Sequence, residues 1–219
     1  MVRIYNRDCV EAMQEMKTGE YDLAIVDPPY GINAASKGFV NAIKRGKAKT
    51  KTKHYKHSKW DSSSPDQLYF DELRRVSKEQ IIFGANHFIS KIPIDSSCWI
   101  VWNKDNGSNG YSDCELAWTS FRTSVRMFTF RWHGMLQQNM KNKEERIHCT
   151  QKPVALYLWL LQKYAKSGWK ILDTHLGSGS IAIACHDLGF DFDGFEIDKE
   201  YYDNALKRFR LHEQQMKLF

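Results

Sequence analysis

The residues Asp27-Pro28-Pro29-Tyr30 join a carboxylate, two prolines and an aromatic ring directly after an apolar run, Asp22–Asp27 (DLAIVD). The prolines preset the backbone and remove two N–H donors, so carbonyl acceptors are left beside the carboxylate. That set suits an exocyclic amino group, which offers two hydrogens and a lone pair withdrawn into its ring. If Asp27 and the Pro28 carbonyl each accept one N–H, the nitrogen is drawn toward tetrahedral geometry. Its lone pair then points outward for in-line attack on a carbon electrophile. The Tyr30 ring can stack on a base that has left a duplex, replacing stacking worth about 1–3 kcal/mol. A plain Pro-Pro turn capped by tyrosine is the alternative, and the position at the end of an apolar strand weighs against it.

A second cluster is Asp173-Thr174-His175-Leu176-Gly177-Ser178-Gly179-Ser180, between a strand-like Lys170–Asp173 and a helical Ser180–Leu188. Glycines in such a turn let the backbone approach a ligand closely. Leu176, Gly177, Ser178, Gly179 and Ser180 are therefore expected to contact a cofactor. Asp173 would repel a diphosphate but would pair with the ammonium of an amino-acid moiety. Glu196, 19 residues after Gly177 and followed by Ile197, ends the next strand. An acid there can accept both hydroxyls of a ribose. A solvent-facing acid is the plainer reading of Glu196 alone, but its spacing from the glycine turn implies an adenosine-containing ligand. A nicotinamide dinucleotide would fit that half and leave Asp27–Tyr30 without a role.

These residues must be held by a scaffold, and the pattern of elements supplies one. Arg3–Asn6, Asp22–Asp27, Gln80–Gly84, Cys98–Asn103, Val125–Trp132, Lys170–Asp173 and Phe192–Ile197 read as strands. Val10–Met16, Asp66–Val76, Pro153–Ala165, Ser180–Leu188 and Tyr201–His212 read as helices. Strands alternating with helices predict an α/β fold with a doubly wound, mostly parallel sheet. The 219 residues are expected to form a single domain, with a basic loop at about 33–62 and a polar, mobile segment at about 134–149.

Charge is localised. Lys37, Lys44, Arg45, Lys47, Lys49, Lys51, Lys53, Lys56 and Lys59 fall in one stretch without a single Asp or Glu. Removing these nine from the 32 basic residues leaves 23 against 26 acids, so one segment carries the whole excess of the net +6. Such a footprint predicts contact with the phosphates of a polyanion, the alternative being a solvated loop. His54 and His57 lack a companion ligand at metal spacing, and no metal is expected. Five cysteines at 9, 98, 114, 149 and 185 form no CxxC pair, and none follows a proline. Disulfides, a zinc site and a covalent cysteine mechanism are all disfavoured. No apolar run reaches membrane length and no signal peptide is visible, so a cytoplasmic setting without membrane contact is expected.

Asp27–Tyr30 with Asp173–Ser180 resembles the amino-methyltransferases of DNA, whose motifs are (D/N/S)PP(Y/F) and a (D/P)xFxGxGx-type loop. The tetrapeptide precedes the loop by about 145 residues, an order similar to the permuted β group, which includes small phage-encoded adenine methyltransferases. Thr150-Gln151-Lys152-Pro153 resembles that group's TQKP signature. The resemblance implies that Thr150 and Lys152 lie against the methionine end of the cofactor. It implies that Asp8, with Cys9 beside it, contacts the cofactor adenine. Gly84–Phe88 and Trp99–Lys104 also resemble the family, so the likeness spans nearly the whole chain. His175-Leu176 departs from it, where a Pro-Phe pair is commoner.

The resemblance implies a Rossmann-like methyltransferase fold, S-adenosyl-methionine as cofactor and double-stranded DNA as partner, with a homodimer and a restriction–modification setting as further expectations. Asp before the prolines is similar to adenine-N6 enzymes. Transfer to cytosine N4, to RNA or a protein amide, and a silent DNA-binding regulator of the same fold remain open alternatives.

Overall fold

The computed structural model describes residues 1–32, 61–92, 94–107, 112–133, 136–148 and 150–216. The chain begins with β1 (Val2–Tyr5), α1 (Cys9–Glu15) and β2 (Tyr21–Val26). It resumes with α2 (Gln67–Val76), β3 (Ser77–Phe83), β4 (Ile100–Asn103), β5 (Cys114–Thr119) and β6 (Arg126–Thr129). A small hairpin of β7 (Trp132–His133) and β8 (Leu136–Gln137) leads to α3 (Val154–Tyr164). β9 (Lys170–Asp173), α4 (Ser180–Asp187), β10 (Asp191–Phe195) and α5 (Lys199–Met216) complete it. All nine basic residues from Lys37 to Lys59 lie outside the described residues, as do His54 and His57.

Eight strands form one sheet in the order β1-β10-β9-β2-β3-β5-β4-β6. Every neighbouring pair is parallel except β3–β5 and β4–β5, so only β5 runs against the rest. The expected α/β, doubly wound, mostly parallel architecture is what the chain adopts. β2 shows why its Leu23–Val26 run is apolar throughout. Leu23 and Ile25 join the core that includes Leu156 and Leu160 of α3 and Ile181 of α4. Ala24 and Val26 point the other way, into the core that includes Met13 of α1 and Leu73 of α2. A strand covered on both faces alternates in direction without alternating in polarity. Each such aliphatic side chain contributes roughly 1.5–3 kcal/mol by leaving water.

β5 is the strand that the sequence pattern does not reveal. Ala117, Trp118 and Thr119 are all buried, so there is no polar face to mark a period of two, and Glu115 interrupts the apolar run. Helix ends follow local chemistry. Asp66 caps α2 by accepting from Tyr69 N at 3.1 Å, and Gly179 takes a left-handed conformation (φ 72°) to start α4. Among the described residues no helix is long and apolar enough to cross a membrane.

The topology fixes where a ligand can bind. β9 and β2 are sheet neighbours, yet the chain leaves β9 toward β10 on one side and leaves β2 toward β3 on the other. The two connections diverge, opening a crevice at the carboxyl ends of these strands, as open α/β sheets do at a switch point.

Candidate active site

Asp27–Tyr30 emerges from β2 into that crevice, and the Gly177 turn emerges from β9 beside it. Together they line a cavity of about 260 Å³. The structure brings Asp27, Pro28, Pro29 and Tyr30 to its wall with Thr150 and Lys152. Leu176, Gly177, Ser178, Glu196 and Ile197 line it from the β9 and β10 side.

Because Pro28 and Pro29 carry no N–H, the first donors after Asp27 are those of Tyr30 and Gly31. Both go to one oxygen, Asp61 Oδ1, at 2.8 and 2.9 Å. Tyr30 Oη donates to Asp27 Oδ1 at 2.7 Å. Its ring stacks on His87 with centroids 5.0 Å apart and planes 15° from parallel. Gly84, at φ 67°, passes under that ring, and a Cβ there would overlap it. Tyr30 is thus locked by a hydrogen bond, a stacked ring and a backbone cradle.

Asp27 Oδ2 pairs with the Lys152 ammonium, which is almost fully buried, and Glu115 Oε2 stands 3.2 Å from the same nitrogen. Glu115 Oε1 pairs with Lys104 at 2.6 Å. Burial raises the Asp27 carboxyl above the usual range, and Lys152 offsets this only in part. Burial acts on Glu115 in the same direction, but two lysines outweigh it and hold that carboxyl at about 2. Lys152 stays charged, because the two carboxylates overcome the effect of burial.

On the opposite wall, Glu196 Oε2 accepts from Gly177 N and Oε1 from Asp198 N, each at 2.9 Å. Gly177 and Gly179 both have positive φ, at 54° and 72°. Behind the turn, Arg208 donates to Ser178 O and Ser180 Oγ at 2.9 Å and pairs with Glu144 at 2.8 Å. Gln151 fixes the preceding segment, accepting Ile147 N at 2.9 Å and donating to Glu145 O at 3.1 Å. His148 and His175 also line the cavity, and burial pushes each down to about 4, so both are neutral at pH 7.

Five expected cofactor residues do not line the cavity. Asp8 is instead the N-cap of α1, accepting from Val10 N at 2.8 Å and Glu11 N at 3.0 Å. Cys9 packs in the core with its thiol pushed up to about 12 by burial. Asp173 accepts His175 N at 2.9 Å and is buried, which pushes its carboxyl up to about 8. Gly179 and Ser180 face inward, Ser180 Oγ donating to Lys152 O at 2.8 Å. Residues that the sequence pattern does not single out take part: Asp61, Glu115, His148, Tyr157, Asp198 and Tyr201 line the cavity. Among the described residues one grouping, His186, Asp187 and His212, brings potential metal ligands together, and none of the three lines the cavity.

Comparison with known proteins bears on this site. A family model for N6/N4 enzymes, described as DNA methylase, matches residues 112–207. The Type II methyltransferase M.HpaI of Haemophilus parainfluenzae is 25% identical, aligned over 94% of this chain and 73% of that protein. The Type II methyltransferase M2.DpnII of Streptococcus pneumoniae is 35% identical over 35% of this chain and 28% of its own length. Among solved structures, the M1.HpyAVI–SAM complex superposes with a TM-score of 0.57 at 25% identity, covering 95% of this chain and all of that one. The cytosine-N4-specific PvuII DNA methyltransferase shares the fold, with a TM-score of 0.61 at 10% identity over 95% and 86% of the two chains.

Proposed function

We propose that the chain is a DNA methyltransferase that moves a methyl group from S-adenosyl-methionine to N6 of adenine, with the motif order of the permuted β group. The observation that carries this reading is the shared cavity: Asp27, on the end of β2, faces the same space as the Gly177 turn and Glu196.

The cavity's chemistry fits the cofactor. Among the described residues its lining holds Asp27, Asp61, Glu115, Glu196 and Asp198 against the single cation Lys152. That surplus of acid suits a sulfonium and disfavours a diphosphate. Each Glu196 oxygen keeps a lone pair beyond the one its backbone partner uses, enough to accept ribose hydroxyls. Thr150, Lys152, Leu176 and Ser178 would hold the methionine end, and Ile197 the apolar face of the adenosine. Asp173, Gly179 and Ser180 support that turn from behind. When bound, S-adenosyl-methionine supplies an electrophilic methyl carbon.

Asp27 and the Pro28 carbonyl accept the two amino hydrogens and turn the nitrogen lone pair outward. As the new N–C bond forms, the nitrogen must shed one proton. Asp27, made a stronger base by burial, is the acceptor in place for it. Tyr30 stays fixed throughout, a preset platform for the base. The cations of Lys37–Lys59 would meet DNA phosphates, and the described residues that flank this segment, Gly31 and Asp61, are bonded to each other at the tetrapeptide.

Cytosine N4 is the second reading, favoured by the fold shared with the PvuII enzyme. The two separate by mass measurement of nucleosides from DNA incubated with the protein and S-adenosyl-methionine. N6-methyladenine is expected; N4-methylcytosine alone would overturn the choice of base.

A further inference from the structure

The Lys152 ammonium sits between two carboxylates that are not equivalent. It pairs with Asp27 Oδ2 and stands 3.2 Å from Glu115 Oε2. That Glu115 oxygen is buried and shares the ammonium with Asp27 at the longer of the two contacts. A buried carboxylate oxygen left to share its donor is costly, and a fold that keeps one in its cavity wall calls for an explanation. The ammonium supplies one. Its N–H groups approach the carboxylate that an exocyclic amino group would need, while Tyr30 Oη already takes the other oxygen, Oδ1. Ammonium and amino group are both N–H donors and compete for Asp27. An arriving amino group succeeds more readily if the ammonium has another acceptor within a short rotation of its terminal bonds. Glu115 Oε2 is placed for that.

We propose that Glu115 is a positioning residue that draws the Lys152 ammonium off Asp27 when an amino group arrives and holds it during transfer. This rests on the reading of Asp27 as the amino-group acceptor. Before arrival, Lys152 keeps the buried Asp27 paired; after it, the same ammonium is paired with Glu115, and no charge enters or leaves the site. Lys104 anchors Glu115 through Oε1 at 2.6 Å, which leaves Oε2 as the receiving atom. The charged and titratable groups facing Asp27 are Lys152 from the segment before α3, Glu115 from β5 and Tyr30. Tyr157 of α3 and Asp173 of β9 act on it from farther away.

The test is single-turnover methyl transfer to DNA as a function of pH, in wild type, E115Q and E115D. E115Q removes the competing charge and leaves Lys152 on Asp27. Its plateau rate is expected to fall about tenfold or more, the effect of removing a charged hydrogen bond. The acid limb of its profile should move to lower pH. E115D, which keeps the charge, should recover most of the rate. A wild-type rate and profile in E115Q would overturn the proposal while leaving the functional reading intact. No transfer by the wild-type protein would overturn both. If E115Q does not fold, the Asp27 carboxyl is followed by carbon NMR in wild type and E115N, its signal identified by its disappearance in D27N. Asp27 titrating lower in E115N supports the proposal, and identical titrations overturn it.

Discussion

Asp61 and Tyr30 lie 31 positions apart, yet Asp61 Oδ1 accepts the Tyr30 N–H at 2.8 Å and, with it, that of Gly31 at 2.9 Å. This one oxygen satisfies both donors that follow the two prolines, and so fixes the direction in which the tetrapeptide leaves β2. Asp61→Ala should leave both N–H groups without their partner, at a cost of about 1–3 kcal/mol. Chemical denaturation should show that drop in stability, and methyl transfer should fall with it. Unchanged stability would mean that the backbone is held by other groups.

Gly84 supplies the cradle for the Tyr30 ring. Its φ of 67° already disfavours any side chain by roughly 1–2 kcal/mol, and a Cβ would also meet the ring. Gly84→Ala is therefore expected to displace Tyr30 and lower kcat at least tenfold, an order-of-magnitude expectation from misplacing a reacting group. S-adenosyl-methionine affinity should stay within about twofold, because Gly84 is not in the cavity lining. Normal kcat in this variant would show that Tyr30 need not hold its position.

The scaffold and much of this site were legible in the sequence because their residues have few other uses. Two prolines after an apolar strand, and two glycines between a strand and a helix, mark special backbone geometry, and both motifs reached the cavity. Carboxylates carry no such mark. Asp61 falls at the end of the basic loop and Glu115 in a strand that the pattern does not reveal, and the meaning of both lies in partners far along the chain. Asp8 shows the converse: an acid after β1 is what a helix N-cap needs, and α1 uses its Oδ1 for that. β5 stayed hidden because Glu115 breaks its apolar run and its buried half, Ala117–Thr119, leaves no polar alternation to mark a strand.

Asp173 predicts a pH dependence of stability. Its carboxyl is raised to about 8 in the folded chain, against an unfolded value of about 3.9. The folded state therefore binds this proton more tightly than the unfolded state. Its contribution is complete below about pH 4 and is lost as pH rises through about 8, by an amount on the order of a few kcal/mol. Asp173→Asn should flatten that slope and raise the melting temperature at pH 8 relative to wild type. A slope equal to wild type would show that Asp173 is ionised in the fold.

The basic segment predicts a salt dependence. Replacing Lys44, Arg45, Lys47 and Lys49 with glutamine should weaken DNA binding across sequences. It should also reduce the slope of log K against log salt by about one for each phosphate that is no longer neutralised. Fluorescence anisotropy with a labelled duplex at several salt concentrations reads this directly. An unchanged slope would place the DNA-binding cations elsewhere.

The central claim is that the Asp27 carboxylate accepts the amino group that is methylated. Its most direct test is single-turnover transfer from S-adenosyl-methionine to DNA by Asp27→Ala, with cofactor affinity measured on the same preparation. Transfer is expected to be abolished while cofactor affinity stays close to wild type. Full activity in this variant would contradict that role for Asp27.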